Sequence, residues 1–198
     1  MNIMMMDLVY HPEEVSGAIL ITELATDLVR RGHKVTMVTC APHYPYGQVY
    51  QGYRNRLHQI EWLDGVRVVR TWTYISPHKT FWRRILNYGT FCATAFYGGF
   101  FAGKPDVLVS CCPPLPLGLS AWLLSRIWRV PWVLKVEDIY PEAAVAAGVL
   151  TDHRVIRFFS AMSRFINRKA THISVISENF RENLLEKGIS AEIGRAHV

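Results

Sequence analysis

The chain has 198 residues, half of them hydrophobic, and it carries a formal net charge of +6. A chain of this length and apolar content can bury a sizeable core, which excludes a disordered tail and indicates one globular α/β domain. The basic charge is compatible with nucleic acid, an anionic membrane surface or a phosphorylated ligand, and it does not choose among them.

The start of the chain predicts a β-strand, an α-helix and a second strand. Residues 2–10 (NIMMMDLVY) are almost continuously apolar, as in a parallel strand that is covered on both faces. The helix is predicted to have Ser16 as its N-cap and to end before Gly32, and Lys34–Cys40 is the next strand. This parallel βαβ unit should place the loop around Gly17 at the carboxyl edge of the sheet, where such folds bind ligands.

Strands and helices also follow one another in the rest of the chain. Asp64-Gly65 indicates the turn of a hairpin, because a type I′ turn needs two residues with positive φ. The pattern predicts an α/β fold, a parallel sheet with helices on both faces. The further predicted strands are 57–63, 66–72, 106–112, 131–136 and 172–176, and the further predicted helices are 80–103, 117–128, 152–169 and 178–187.

The sequence lacks the signatures of several common sites. Its four cysteines have neither metal-ligand spacing nor the density of a disulfide scaffold, and its eight histidines are scattered, so no metal site is predicted. No dinucleotide-binding glycine fingerprint, Walker A motif, zinc-protease motif or nucleophile elbow is present. Aromatic and basic residues are not interleaved on strands, which argues against nucleic acid as a partner. The N-terminus does not read as a signal peptide, so we expect a cytoplasmic location.

Two predicted loops on the ligand side carry side chains that suit a carbohydrate. Residues 41–55 are rich in proline, glycine and tyrosine, and tyrosines such as Tyr44 either stack on a sugar ring or cover the edge of the sheet. After the strand 131–136 comes the run EDIYPE. Its Asp138 and Glu142, with Tyr140 between them, suit general acid/base chemistry or hydroxyl recognition, or else they cap a helix.

The helix predicted over residues 80–103 bears on membrane contact. From Ile85 onward it is uncharged, and it leads directly into another strand, so a membrane-spanning segment would disrupt the sheet. Either it is an ordinary buried helix with a basic start, or it also touches an anionic membrane surface through Trp82, Arg83 and Arg84.

Several sequence segments, which follow one another in a fixed order, resemble a known family. The segments HPEEVSGAILITELATDLVRRGHKVTMVT, APHYPYGQVYQGY, VEDIYPEAAVAAGVL and ISVISENFRENLLEKGI are similar, in this order, to glycosyltransferase family 4 enzymes. Within that family they resemble the branch that builds O-antigen and colanic-acid polysaccharides, which includes fucosamine-transferase-like enzymes. The match covers residues 1 to about 190.

The resemblance implies one Rossmann-like lobe of a two-lobed GT-B enzyme. Such an enzyme performs retaining transfer from a nucleotide-sugar donor to a lipid-linked acceptor, needs no metal or other cofactor, and works at the inner face of the plasma membrane. Residues 1–190 would form the acceptor-side domain, and the C-terminal nucleotide-sugar domain is absent, so the fragment is expected to be inactive alone. The alternative is a non-catalytic membrane-docking, acceptor-binding subunit that pairs with a separate donor-binding chain.

The resemblance also implies roles for particular residues. Gly17 would let the backbone approach the donor diphosphate, and Ser16 with the following helix N-terminus would supply N–H donors. Asp138 and Glu142 would lie beside the reacting sugar or the acceptor hydroxyl.

The origin of residues 191–198 differs from that of the rest of the chain in our interpretation. Their end, IGRAHV, back-translates into the start of a common sequencing adapter, so we expect this tail to be non-native.

Overall fold

The computed structural model describes residues 1–78, 80–189 and 192–195. Within these residues the strands form one sheet in the order β3-β4-β2-β1-β5-β6-β7-β8, and every neighbouring pair is parallel except the hairpin β3-β4. The strands are β1 (Asn2–Met6), β2 (Lys34–Cys40), β3 (Gln59–Leu63), β4 (Val66–Thr71), β5 (Val107–Cys112), β6 (Trp132–Val136), β7 (His172–Val175) and β8 (Glu192–Arg195). The helices are α1 (Ser16–Arg30), α2 (Phe81–Ala102), α3 (Leu117–Trp128), α4 (Glu142–Ala146), α5 (His153–Lys169) and α6 (Glu178–Glu186).

A hydrophobic core lies on each face of the sheet, which confirms the predicted fold class. In β1, Ile3 and Met5 pack into the core beneath α1, whereas Met4 and Met6 pack into the core that α2, α3 and α5 cover. Successive side chains of a strand point to opposite faces, so every side chain of a strand with both faces covered packs in a core and is expected to be apolar. This explains the unbroken apolar run at the start of the chain.

The hairpin prediction is confirmed in detail. Strands β3 and β4 pair antiparallel, and Asp64 and Gly65 between them have φ angles of 49° and 80°. Positive φ at both central residues is what the type I′ turn requires.

Two predicted boundaries at the start of the chain are wrong. Strand β1 ends at Met6 rather than at residue 10, because the N–H of Tyr10 turns away to the Glu13 carboxylate. Leu8 and Tyr10 are buried as loop residues, and the apolar pattern therefore extended past the strand. Helix α1 starts at Ser16 itself, and Val15 occupies the N-cap position that the sequence had given to Ser16.

The end of the chain is described only in part. Residues 190–191 and 196–198, on which much of the predicted non-native tail falls, lie outside the described residues. Glu192–Arg195 forms β8 and pairs in parallel with β7. The origin of this segment stays a prediction.

Helix α2 packs closely on the sheet through glycines. A Cβ atom on Gly98 would lie 2.4 Å from Cγ2 of Thr71 in β4, and one on Gly99 would lie 2.8 Å from Cδ1 of Leu124 in α3. These contacts fix the helix whose first turns carry Arg83 and Arg84. None of the described helices is long and apolar enough to cross a membrane.

Replacement of Gly98 tests how strongly the close packing of α2 on the sheet depends on glycine at this position. We expect Gly98→Ala to lower the free energy of unfolding by about 1–3 kcal/mol, because the new methyl group overlaps Thr71. Gly89→Ala, in the same helix, meets nothing within 4 Å and should instead stabilise by up to about 1 kcal/mol through helix propensity. Urea denaturation of both variants measures the difference, and equal stabilities would contradict the close packing.

Candidate functional site

A cleft of about 670 Å³ opens at the carboxyl edge of the sheet. The segments after β1, β2, β4, β5 and β6 meet there with the first turns of α1 and α2, so the Gly17 turn and the Asp138 loop open to the same end, as the βαβ pattern predicted. The residues that line the cleft include Asp7, Ser16, Gly17, His43, Tyr44, Ser76, His78, Arg83, Arg84, Asn87, Tyr88, Glu137 and Asp138.

The N-terminus of α1 lies at this cleft, and among the described residues no side chain caps it. Ser16 and Gly17 are its first two residues, and the preceding Val15 has no side-chain oxygen to cap them. The first N–H groups of a helix have no partner within the helix, and together with the helix dipole they attract anions. This end of the cleft can therefore bind a phosphate group.

One side of the cleft is acidic. Glu137 follows β6 and pairs through Oε1 with the ammonium of Lys135, which lies one residue before the end of that strand. The ammonium of Lys135 is little exposed; burial alone would lower its pKa, but the hydrogen bond to Glu137 and the nearby acidic groups raise it above its usual value. This ion pair holds Glu137 in place beside Gly17 of α1.

Asp7 is a buried carboxyl group in the same wall. It is only 2% exposed, and its Oδ1 accepts the N–H of Val9, while Oδ2 has no hydrogen-bond partner among the described residues. Burial raises the pKa of Asp7 to about 7; the neighbouring Cys111 thiol lowers it in part, and Glu137 raises it further. Near neutral pH this group therefore exchanges between a neutral hydrogen-bond donor and a charged acceptor.

The start of α2 brings basic side chains to the same cleft. Arg83 and Arg84 lie in the first turn of α2, and the guanidinium of Arg83 donates to Oγ of Ser76 over 3.1 Å. Tyr88, one helical turn further on, has its pKa raised by burial and partly lowered again by Arg84. The two arginines therefore add positive charge to a cleft that Glu137 and Asp138 also line.

Glu13 holds two of the cleft loops together. Its buried carboxylate accepts the N–H groups of Tyr10 (3.0 Å), His43 (2.8 Å) and Tyr44 (2.7 Å). His43 donates from Nδ1 to the carbonyl of Ala41 over 2.9 Å, because a carbonyl oxygen can only accept. Its Nε2 is then the acceptor for the amide nitrogen of Asn87, 3.3 Å away on α2.

Arg70, a residue of β4, makes further bonds to this region. It is 1% exposed on β4, donates to the carbonyl oxygens of Cys40 (2.9 Å) and His11 (2.6 Å), and forms an ion pair with Glu61. A buried guanidinium is stable only when its donors are satisfied. These bonds hold the end of β2 and the segment that follows β1 in fixed positions.

The family comparison decides what kind of domain presents this cleft. The model of the glycosyl transferase 4-like domain matches residues 18–198, which is most of the chain. The chain belongs to the glycosyltransferase 4-like family. A curated relative, the putative colanic acid biosynthesis glycosyl transferase WcaI of Escherichia coli strain K12, is 25% identical over 97% of this chain and 48% of its own length.

Solved structures show that this family domain has the expected fold. Sucrose-phosphate synthase from Thermosynechococcus elongatus aligns with a TM-score of 0.63 at 15% identity, over 98% of this chain and 47% of its own. A UGT transferase from Siraitia grosvenorii, solved in complex with UDP, aligns with a TM-score of 0.56 at 10% identity, over 100% of this chain and 51% of its own. The sheet is therefore a lobe of the GT-B type, and the chain spans about half the length of the curated relative.

The glycosyltransferase 4-like lobe brings together most of the site residues that the sequence indicated. Ser16, Gly17, Tyr44 and Asp138 all line the cleft, and so do Arg83 and Arg84, which had been assigned to the membrane. Trp82 is 71% exposed and stacks edge to face on Phe81.

Two residues of the acidic run have other contacts. The carboxylate of Glu142, predicted to be catalytic, pairs with Nζ of Lys187 over 2.7 Å at the start of α4. The ring of Tyr140 packs edge to face on Phe159 of α5 and belongs to the border of the hydrophobic core. Asp138 thus lines the cleft, whereas Glu142 of the same short run pairs with Lys187.

The sequence reasoning missed Asp7, Glu13, His43 and Arg70. Asp7 had been placed inside an apolar strand, and Arg70 inside a hairpin strand. A charged residue in such a run is itself a signal, because a buried charge is retained only with specific partners. Among the described residues no group of three or more His, Cys, Asp or Glu side chains could hold a metal ion.

The buried Asp7 should make stability depend on pH. Its pKa is raised from 3.8 to about 7, so the folded state holds a proton that the unfolded chain releases. The favourable contribution is complete below about pH 4 and is lost as the pH rises through 7, which corresponds to roughly 4 kcal/mol at most.

We therefore expect Asp7→Asn to gain stability relative to the wild type as the pH increases. The gain should be small at pH 4 and reach roughly 2–4 kcal/mol at pH 8, because the amide carries no charge to bury. Urea denaturation at the two pH values measures it. A stability difference that does not change with pH would contradict the assignment.

Proposed function

We propose that this chain is the acceptor-side lobe of a retaining glycosyltransferase. The enzyme would move a sugar from a nucleotide-sugar donor to a lipid-linked acceptor in the synthesis of a bacterial cell-surface polysaccharide. Family membership, the GT-B lobe and the name of the Escherichia coli relative support this reaction class. The solved relative with bound UDP supports a nucleotide sugar as the donor.

The observation that carries the proposal is the distribution of charge in the cleft. Free N–H groups of α1 and the arginines of α2 surround the same cavity as the carboxylates of Glu137 and Asp138. A reaction that transfers a sugar from a diphosphate needs donors for the departing phosphate and polar groups for the hydroxyls. Both are present in this cleft.

In this mechanism the first amides of α1 stabilise the charge that develops on the leaving diphosphate. Gly17 leaves room for the diphosphate to approach the backbone, and Ser16 adds a hydroxyl. Fixed dipoles stabilise such charge without reorganisation, so the proposal includes no metal and no other cofactor. Asp138 contacts the acceptor hydroxyl or the reacting sugar, and Tyr44 stacks on a sugar ring. Glu142 is left out because Lys187 engages its carboxylate.

We further propose that the lobe binds the cytoplasmic face of the plasma membrane peripherally. Trp82 is exposed in the turn that carries Arg83 and Arg84, and these cations lie at the cleft. A tryptophan at the interface and arginines at the headgroups would bring the phosphate of a lipid-linked acceptor to the cleft.

Vesicle binding tests this placement. The wild type should co-sediment with vesicles that contain phosphatidylglycerol, and less so as the salt concentration is raised. Arg83→Ala with Arg84→Ala should weaken binding roughly 30-fold, since each basic residue near the surface contributes about 1 kcal/mol. The exposed pair Arg154 and Arg157 on α5 provides a control with the same loss of charge. Equal losses in both double variants would contradict a specific contact at α2.

A transfer assay tests the reaction itself. The chain alone should transfer no sugar from a panel of nucleotide sugars to polyprenyl-diphosphate-linked acceptors, and the same chain joined to a donor lobe of the family should. In the joined protein, Asp138→Asn should lower turnover by about 10²-fold if it contacts the reacting groups, whereas the exposed Glu178→Gln should not. Wild-type turnover in Asp138→Asn would contradict the role of Asp138.

The second candidate is a non-catalytic docking subunit that binds the acceptor for a separate donor-binding chain. The exposed Trp82 and the two arginines of the same turn at the cleft would serve such docking equally well. Vesicle and acceptor binding without transfer in the joined protein would favour this alternative.

A further inference from the structure

We propose that a second cavity, at the amino edge of the sheet, binds a phosphate group attached to a planar ring, as in a nucleotide. This cavity of about 460 Å³ lies where β1, β2 and β4 begin, whereas the cleft lies at the carboxyl edge. The inference does not depend on the proposed function. The residues of this amino-edge cavity that carry the argument are Met4, Lys34, Thr36, Trp62, Arg67 and Lys104.

The floor of the amino-edge cavity is a row of side chains that runs beyond the end of α2. The strand register places Met4, Thr36, Arg67 and Trp62 next to one another across β1, β2, β4 and β3. Residues paired in this way share one face of the sheet, and Met4 packs in the core that α2, α3 and α5 cover. Met4 is 1% exposed but Trp62 is 68% exposed, so the helices cover the row only at its β1 end. Ala102, the last residue of α2, borders the cavity.

The charge of the amino-edge cavity is positive. Lys34 lies two residues before Thr36 on β2 and therefore shares its face, Arg67 follows on β4, and Lys104 comes just after α2. Among the described residues none of these three cations forms an ion pair, and no Asp or Glu lines the cavity. Cations that share a cavity without a counter-charge raise its potential, so an anion between them is stabilised.

Arg67 is held in place for an anion. Its Nη1 donates to the carbonyl oxygen of Ala102 over 2.9 Å, and its other N–H groups have no hydrogen-bond partner among the described residues. A guanidinium that is fixed by one bond and keeps free donors can bind a phosphate through two parallel hydrogen bonds. The bond to Ala102 also offsets the negative end of the α2 dipole, which would otherwise repel an anion. At the border, the carboxylate of Asp106 is engaged by the backbone N–H of Asn2 over 2.7 Å.

Trp62 indicates that the phosphate carries a planar ring. It lies directly opposite Arg67 in the hairpin, on β3 at the edge of the described sheet. An exposed indole beside cations is a surface on which a nucleobase can stack while its phosphate reaches the basic groups. Inorganic phosphate and the glycerol phosphate of a lipid headgroup have no ring to place there. The cavity therefore favours a nucleotide over both.

The test is a titration of the labelled 198-residue chain followed by NMR. The probes are AMP, adenosine and inorganic phosphate, and the indole N–H signal of Trp62 is identified by its loss in Trp62→Leu. AMP should shift the signals of Trp62 and Arg67, and adenosine and phosphate should each bind more weakly than AMP. The shifts should persist in the protein with Arg83→Ala and Arg84→Ala, because those arginines lie at the cleft.

Paired substitutions test the contribution of charge. Lys34→Gln with Lys104→Gln should weaken AMP binding about tenfold or more, because two cations beside the phosphate are lost. Both lysines are exposed, so the fold should persist. Arg154→Gln with Arg157→Gln removes the same charge from the exposed face of α5 and should bind AMP like the wild type. Equal losses in the two double variants would contradict the site.

The ring and the source of the phosphate are tested separately. Trp62→Leu should weaken AMP binding several-fold and leave the affinity for inorganic phosphate unchanged; equal AMP affinity in this variant would overturn the proposal. Vesicles of phosphatidylglycerol that perturb Trp62 while AMP does not would assign the cavity to lipid headgroups instead. An oligoadenylate that binds far more tightly than AMP and loses affinity in the lysine variant would assign it to single-stranded nucleic acid. None of these results bears on the cleft, so the proposed function stands or fails independently.

Discussion

The structure depends on the need to cover both faces of a parallel sheet. Every residue of β1 after Asn2 is buried, with successive side chains in two different cores, so helices must lie above and below it. A chain that returns to a parallel strand must cross over the sheet, and each crossover begins where a strand ends. The loops that follow β1, β2, β4, β5 and β6 therefore converge on one edge. The cleft is a consequence of how the core is buried.

Loops at such an edge expose backbone groups that the sheet no longer pairs, and two buried charges satisfy them here. Glu13 accepts three backbone N–H groups from the segments after β1 and β2. Arg70 donates to the carbonyl oxygens of His11 and of Cys40, the last residue of β2. A carboxylate that accepts several amides, and a guanidinium with its donors filled, can be buried at an acceptable free energy. The rigid cleft wall is thus held by polar bonds, whereas the strands beneath it are held by apolar packing.

Asp7 stands apart from this arrangement. It is buried like Glu13, but one of its oxygens has no partner among the described residues, and burial shifts its pKa towards neutrality. Such a group lowers the stability of the isolated fold at neutral pH, and structures tolerate groups of this kind mainly where ligands bind. Asp7 lines the same cleft as the N-terminus of α1 and lies near Glu137 and Lys135, which fits that pattern.

The sequence by itself determined the order of the elements except for α4 and β8, the burial of the sheet on both faces and the edge at which Gly17 and Asp138 open. These properties follow from local periodicity, turn chemistry and the rule for parallel crossovers, which need no knowledge of distant contacts. Only the tertiary structure decided that Glu142 pairs with Lys187 and that Tyr140 packs at the border of the core. It also decided that Asp7 and His43 line the cleft, while Glu13 and Arg70 hold its loops. The role of a polar side chain depends on which distant residues the fold brings within hydrogen-bonding distance, and Glu13 and His43 are 30 residues apart in the chain. The spacing of two residues along the sequence does not show whether the fold brings them into contact.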